Sequence, residues 1–131
     1  MRLLLDTHTI IWFFADDPRL PKGAGGLIEA TSNACSISLG TPWEMAIKIS
    51  LGKLRLPYAP GVALQQLLQR NAIEVLAPEA EDLDLLTTLP FHHRDPFDRL
   101  LAAQALRRDL TLISADPVFD RYGVRRRWPQ S

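Results

Sequence analysis

Four acidic side chains stand at positions where they could share one site; they are Asp6, Glu44, Asp98 and Asp116. The first and the last of them directly follow, or come shortly after, the apolar runs at residues 2–5 and 110–113, which predict short buried strands. The other two fall in the first turns of two predicted helices. If the fold brings these positions together, the four carboxylates form a single cluster.

Such a cluster predicts a bound divalent cation, because carboxylates held close together repel one another and raise their own pKa values unless a cation neutralises them. Oxygen ligands favour Mg²⁺ or Mn²⁺, whereas zinc sites normally recruit His or Cys. His92 and His93 are adjacent and are not expected to bind one ion together, and His8 stands alone. Magnesium held by carboxylates keeps open positions for a phosphate and activates water, so the expected chemistry is phosphodiester hydrolysis.

A purely structural role is the alternative for each of these acids, because acidic residues are favoured at helix N-termini. Thr41 and Glu44 have the spacing of a capping box, in which the glutamate would reach back to the backbone of the threonine. Asp95, directly before Pro96, is expected to be an N-cap, which leaves Asp98 free to point into a cleft. The first and last acids could also cap helices, and Glu44 could serve both its helix and a metal.

Strands and helices follow one another along the whole sequence in the pattern of an α/β protein. The predicted strands cover residues 2–5, 34–39, 73–76, 110–113 and 123–126. The predicted helices cover residues 7–15, 41–51, 61–70, 79–88 and 96–108. This order predicts a central, mostly parallel sheet with helices on both faces, in which right-handed crossovers place every strand-to-helix turn on one edge. Ligands bind at that edge in open α/β folds, so the four acids should meet in one cleft.

Composition sets the remaining limits. A chain of 131 residues with 47% apolar and 23% charged residues fits one soluble domain over 1–131. The net charge of +0 gives no indication of a nucleic-acid or membrane partner. The single cysteine, Cys35, excludes an intrachain disulfide and fits a reducing compartment. Acids at 6, 16 and 17 interrupt the N-terminal apolar stretch, so no export or membrane segment is predicted and the cytoplasm is the expected location.

Four sequence blocks span nearly the whole chain and occur in the order of a known family. They are LLLDTH at 3–8, WEMAIK with LGKL at 43–48 and 51–54, DPFDRLLAAQA at 95–105, and LISAD at 112–116. With these blocks the chain resembles the PIN-domain ribonucleases, and among them the VapC-type toxins of type II toxin–antitoxin systems. Each block alone is a weak signal, but the set is specific.

The resemblance implies a three-layer α/β/α PIN-like fold and a Mg²⁺-dependent or Mn²⁺-dependent endoribonuclease. It implies that Asp6, Asp98 and Asp116 hold the metal and that Glu44 completes the acidic quartet, with Ser114 available to position metal-bound water. It also implies an RNA substrate, inhibition by a small cognate antitoxin protein, and a homodimer. The identity of the RNA and the number of metals stay open.

The sequence departs from the family pattern at two places. Thr41-Pro42 replaces the usual Ser-Leu before Trp43-Glu44, which keeps a hydroxyl and puts proline at a favoured helix position. Gly23, Gly25 and Gly26 fall where the family has a helix, and each costs about 1 kcal/mol relative to alanine. That helix is therefore expected to be short, frayed or displaced, which would affect antitoxin binding.

The acidic residues also bear on two alternative functions. A receiver-like Mg²⁺-binding signalling domain would need an acidic pair after the first strand, where only Asp6 stands. A PIN fold kept only for RNA or protein binding would not need the complete acidic set.

Several basic residues could contact either the acids or RNA. Lys48 could pair with Glu44 or contact RNA phosphate. Arg94 and Arg99 could bind phosphates or offset the acids. The segment from Arg125 to Trp128 is expected to be a solvated strand end rather than a base-stacking patch.

Overall fold

The computed structural model describes all 131 residues as five strands, six α-helices and one 3-10 helix. The strands are β1 (Arg2–Leu5), β2 (Ala34–Ser38), β3 (Ile73–Leu76), β4 (Thr111–Ile113) and β5 (Arg126–Arg127). The helices are α1 (Thr7–Ala15), α2 (Lys22–Glu29), α3 (Gly40–Ser50), α4 (Val62–Arg70), α5 (Ala80–Thr88) and α6 (Pro96–Arg107), and the 3-10 helix covers Pro117–Tyr122.

The strands form one sheet in the order β3-β2-β1-β4-β5, and every pairing is parallel. In the centre of the sheet Leu5 lies opposite Ile37 of β2 and Ile113 of β4. The carboxyl ends of the three central strands are therefore nearly level, and the segments that follow them leave from the same edge. The prediction of a mostly parallel sheet is confirmed.

Helices cover both faces of the sheet because each central strand buries side chains on both sides. In β1 the completely buried Leu3 and Leu5 belong to one core cluster and Leu4 belongs to the other. Helices α1, α2 and α4 pack on the first cluster, whereas α6 and the 3-10 helix pack on the second. This is the three-layer α/β/α arrangement that the sequence predicts.

The C-terminal end of the sheet differs from the prediction of a strand at 123–126. The 3-10 helix over Pro117–Tyr122 intervenes, with Asp116 as its N-cap, and Gly123 ends it with a φ of 76°. The last strand is consequently displaced to Arg126–Arg127, where it pairs with β4. None of the helices in the structure has the length and the apolar character needed to cross a membrane.

Helix α2 forms in spite of its three glycines and runs for 8 residues. Its N-cap residue, Pro21, provides no side-chain hydrogen bond, but Ala24 and Ile28 are buried against the first core cluster. At Gly23 the helix touches the C-terminal segment, since a Cβ there would lie 2.6 Å from the carbonyl oxygen of Pro129. Tertiary packing therefore stabilises a helix of low intrinsic propensity.

Candidate metal centre

Asp6 stands at the carboxyl end of β1 and caps α1. Its Oδ1 atom accepts hydrogen bonds from the backbone N–H of Thr9 at 2.9 Å and from the Thr9 hydroxyl at 2.6 Å. The same hydroxyl donates to the carbonyl oxygen of Ile113, which ties the cap to the end of β4. Oδ2 has no hydrogen-bond partner in the protein, so Asp6 caps its helix and still presents one oxygen for a ligand.

Glu44 lies in the second turn of α3, and the predicted capping box with Thr41 is wrong. The helix begins earlier, at Gly40, whose backbone N–H donates to the Ser38 hydroxyl at 3.1 Å. The carboxylate of Glu44 is instead buried against α1, where its Oε1 accepts from the Thr7 hydroxyl at 2.6 Å. The Thr41 hydroxyl also faces Thr7, at 3.2 Å.

Lys48 forms the predicted pair with Glu44 one turn further along α3. Its Nζ atom lies 2.6 Å from Oε2 of the glutamate, and this hydrogen bond raises the pKa of the lysine. Both oxygens of Glu44 are therefore engaged, one by a hydroxyl and one by a cation. Glu44 supplies negative charge to the site but is less free than the other acids to bind a ligand.

Asp98 occupies the first turn of α6 and is the least compensated acid. The predicted N-cap Asp95 is confirmed, because its Oδ1 accepts from the backbone N–H of Phe97 at 2.8 Å. Asp98 itself accepts no hydrogen bond. Burial and the charge of Asp95, with smaller contributions from Glu44 and Asp6, raise the pKa of Asp98 from 3.8 to about 7, although the nearby His93 acts in the opposite direction.

Asp116 follows β4 and caps the 3-10 helix. Its Oδ1 accepts from the backbone N–H of Val118 at 2.9 Å, and its own backbone N–H donates to the buried hydroxyl of Ser114 at 3.1 Å. Ser114 therefore shapes the turn that presents the aspartate. The second oxygen, Oδ2, faces the site and lies 2.9 Å from Nε2 of His93.

His93 is the residue of this centre that sequence reasoning missed. Its Nδ1 lies 3.8 Å from Oδ2 of Asp98, so the ring stands between two of the predicted ligands. Ligand atoms of these three residues all lie within 4.8 Å of one another. Its position two residues before the N-cap Asp95 could have indicated that it lies near Asp98. Because the exposed His92 is adjacent to it, the two histidines were considered only as a pair.

Arg99, which follows Asp98 directly, forms no ion pair with the acids. Arg99 is buried and points away from the centre, with hydrogen bonds to the carbonyl oxygens of Leu86, Leu89 and Pro90. Arg126 pairs with Asp120, and Arg125 pairs with Asp109. Trp128 packs on the first core cluster, as expected for a strand end attached to the body of the protein.

The donor set and the charge of the centre fit a hard divalent cation. No lysine or arginine forms an ion pair with Asp6, Asp98 or Asp116, and the first two each have a carboxylate oxygen without a hydrogen-bond donor. The raised pKa of Asp98 reports the electrostatic cost of this arrangement. A divalent cation would remove that cost, because opposite charge at this distance favours the ionised carboxylate.

Comparison with known proteins identifies the family and the fold. The family model of the PIN domain matches residues 3–125. None of the curated proteins matches this sequence. A chain of VapBC2 from Rickettsia felis, solved bound to a DNA fragment from its promoter, superposes with a TM-score of 0.71 at 18% identity, over 97% of this chain and 98% of that chain. A chain of VapBC-1 from nontypeable Haemophilus influenzae gives a TM-score of 0.65 at 20% identity, over 97% of each chain.

Proposed function

The chain belongs to the PIN domain family, and from this premise we propose that residues 1–131 act as one metal-dependent endoribonuclease domain, the toxin of a toxin–antitoxin pair. PIN domains are nucleases, and membership excludes the receiver-like signalling domain. The observation that carries the proposal is the half-buried Asp98, which has no lysine or arginine partner and lies among three further carboxylates at the ligand-binding edge of the sheet. The choice of RNA rests on the resemblance to VapC-type toxins.

The four acids have separate roles in this proposal. When bound, Mg²⁺ or Mn²⁺ supplies the positive charge that activates water and stabilises the leaving oxygen of the phosphodiester. Asp6, Asp98 and Asp116 hold the cation through the oxygens that face the site. Glu44, fixed by Thr7 and Lys48, contributes charge and anchors α3 to α1. The Lys48 side chain is 40% exposed, and we propose that its ammonium contacts a substrate phosphate.

Replacement of a single ligand tests the nuclease. Asp6→Asn and Asp98→Asn remove charge with almost no change of shape, and each should reduce RNA cleavage about a hundredfold or more, because a bound cation contributes several kcal/mol to such reactions. The assay is cleavage of total bacterial RNA by purified protein with Mg²⁺ or Mn²⁺, which a chelator should stop. Asp84→Asn, at an exposed position on α5, is the matched control and should cleave like wild type.

Cleavage that survives both substitutions would refute the metal-site assignment. If the wild-type protein binds RNA without cleaving it in either metal, the alternative of a PIN fold retained only for binding is correct. The toxin role has its own readout in the same variants: induction of the wild-type gene without a partner should arrest bacterial growth, and induction of Asp98→Asn should not.

An antitoxin has a suitable docking surface beside the early helices. A cleft of about 600 Å³ is lined by aromatic side chains from the end of α1, by Leu20 and Pro21, and by the glycine-bearing face of α2. The guanidinium of Arg19 lies 5.0 Å from the ring of Trp12 at this surface. We place the cognate antitoxin here, because the absence of side chains at Gly25 and Gly26 lets a peptide approach the helix backbone closely.

A second copy of the chain is the proposed occupant of a different surface. An apolar groove of about 580 Å³ lies between the starts of α3 and α4, and its lining includes the exposed side chains of Leu39 and Trp43 together with Pro42, Ala46 and Leu100. Trp43 precedes Glu44 and packs edge-on against Phe97 of α6. A homodimer that covers this groove would bring the second copy close to the acidic centre.

A further inference from the structure

His93 reaches the acidic centre from the loop at 89–95, which connects α5 to α6. Its ring lies between two aspartates that belong to different elements, with Nε2 at 2.9 Å from Asp116 and Nδ1 at 3.8 Å from Asp98. Although Nε2 is close to the Asp116 carboxylate and is shielded from solvent, it makes no hydrogen bond of acceptable geometry. A buried ring nitrogen without a partner is uncommon and calls for a ligand.

Arg99 of α6 anchors the loop that carries His93. Arg99 is 5% exposed, and its guanidinium donates to the carbonyl oxygens of Leu86, Leu89 and Pro90. It also lies 4.0 Å from the ring of Phe91. Burying the arginine charge costs free energy, and the hydrogen bonds to backbone carbonyls offset this cost. These hydrogen bonds hold in place the residues that directly precede His93.

The 3-10 helix that follows Asp116 also contacts His93. The backbone N–H of His93 donates to Oη of Tyr122 at 2.8 Å, and the imidazole ring packs against Phe119 with the centroids 5.2 Å apart. Phe119 and Tyr122 are both buried. The position of the ring is therefore set by the same segment that presents Asp116, so the two side chains are placed as a unit.

We propose that His93 is a nitrogen ligand of the divalent cation bound by Asp98 and Asp116. The proximity of the three ligand atoms, all within 4.8 Å of one another, is what one ion requires of a shared donor set. This inference rests on the proposed metal-dependent function and goes beyond it, because it makes the centre a mixed nitrogen and oxygen site. Imidazole binds Mn²⁺ more readily than Mg²⁺, so His93 gives the centre a preference for Mn²⁺.

The test uses Mn²⁺ as the probe and needs no nuclease assay. Purified metal-free protein is loaded with Mn²⁺, and electron spin-echo envelope modulation reports whether a histidine nitrogen is bonded to the ion. Wild type and the double variant His8→Gln/His92→Gln should both show the nitrogen modulation, whereas His93→Gln should lack it. The double variant is the matched control, because it removes the other two histidines of the chain.

Calorimetry supplies the affinities. His93→Gln should weaken Mn²⁺ binding about tenfold or more and change Mg²⁺ binding by less than about threefold, because the lost ligand is the one that distinguishes the two metals. Mn²⁺ that binds to wild type without nitrogen modulation, and is lost in Asp98→Asn, would overturn the role of His93 and leave the acidic site intact. Failure of wild type to bind either metal would overturn the metal-dependent function itself.

Discussion

Charge compensation distinguishes two aspartates that lie near opposite ends of α6, the half-buried Asp98 and the completely buried Asp82. Asp98, in the first turn, has no arginine or lysine partner, and its pKa is raised to about 7 by burial and by its acidic neighbours. Asp82 of α5 is completely buried beside the last turn of the same helix, where it binds Arg107 and Arg108. Burial raises the pKa of Asp82, but the hydrogen bonds from the two arginines outweigh it and hold the pKa below 3.8. The compensated acid is structural, and the uncompensated one lies in the candidate metal centre.

Asp82→Asn should therefore destabilise the fold without touching the metal centre. The variant removes the charge that the two arginines neutralise, and the expected loss at pH 7 is about 3 kcal/mol in the free energy of unfolding. Asp84→Asn on the exposed side of α5 is the control and should stay within about 0.5 kcal/mol of wild type. Urea denaturation followed by tryptophan fluorescence measures both.

The same variant carries a pH signature. The pKa of Asp82 is lower in the folded protein than its ordinary value of 3.8, so its contribution is fully present above that value. It is lost as the pH falls through the lower, folded pKa, and the difference between wild type and Asp82→Asn should shrink there. A difference that instead grows below pH 3.8 would contradict the assignment of Asp82 as a compensated carboxylate.

At the scale of the elements, sequence patterns predicted most helices and strands to within a residue or two and failed where distant segments meet. The capping box predicted at the start of α3 does not form, because the carboxylate of Glu44 binds the Thr7 hydroxyl of α1 instead of the backbone of Thr41. A capping box is a local pattern and carries no information about such a contact. In helix α2 the prediction erred in the other direction. Its glycines predict a disturbed helix, but the helix forms because Ala24 and Ile28 are buried in the core.

Two alanine substitutions in α2 should have opposite effects. Gly26 is exposed, and a Cβ there meets nothing within 4 Å, so Gly26→Ala should raise the free energy of unfolding by about 0.5 to 1 kcal/mol. Gly23→Ala places its Cβ 2.6 Å and 2.8 Å from backbone oxygens of Pro129 and Ser131, and should lower stability by about 1 kcal/mol or more. Thermal unfolding followed by circular dichroism gives the sign of each effect. Stabilisation by Gly23→Ala would contradict the packing of the C-terminal segment on α2, and destabilisation by Gly26→Ala would contradict the open space at that position.

At the scale of the whole molecule, the distribution of exposed apolar side chains bears on assembly. The groove beside α3 has Trp43 at 65% exposure and Leu39 at 48%, next to the prolines and Leu100 that line its floor. A net charge of +0 gives little long-range repulsion between copies. Together these features favour self-association through this face.

Trp43→Glu should convert the proposed homodimer into a monomer, because it places a charge in the centre of the apolar groove. Leu83→Glu on α5 is the matched control, since Leu83 is 50% exposed and lies outside the groove, and it should remain dimeric. Size-exclusion chromatography with light scattering measures the mass of each. A monomeric wild-type protein at about 100 µM, where specific homodimers of ordinary affinity assemble, would refute the proposed dimer.

The sequence by itself determined the succession of strands and helices and the placement of the acids at strand ends and helix starts. Both follow from local rules, the periodicity of apolar residues and the chemistry of helix N-termini, and a parallel sheet then places such positions on one edge. Which atoms meet at that edge depends on contacts between distant segments of the chain. Glu44 binds Thr7 across 37 residues of sequence, Arg99 turns to the 89–95 loop instead of the acids, and His93 enters between Asp98 and Asp116. Each of these contacts joins segments from different elements, and the spacing of residues along one segment does not encode them.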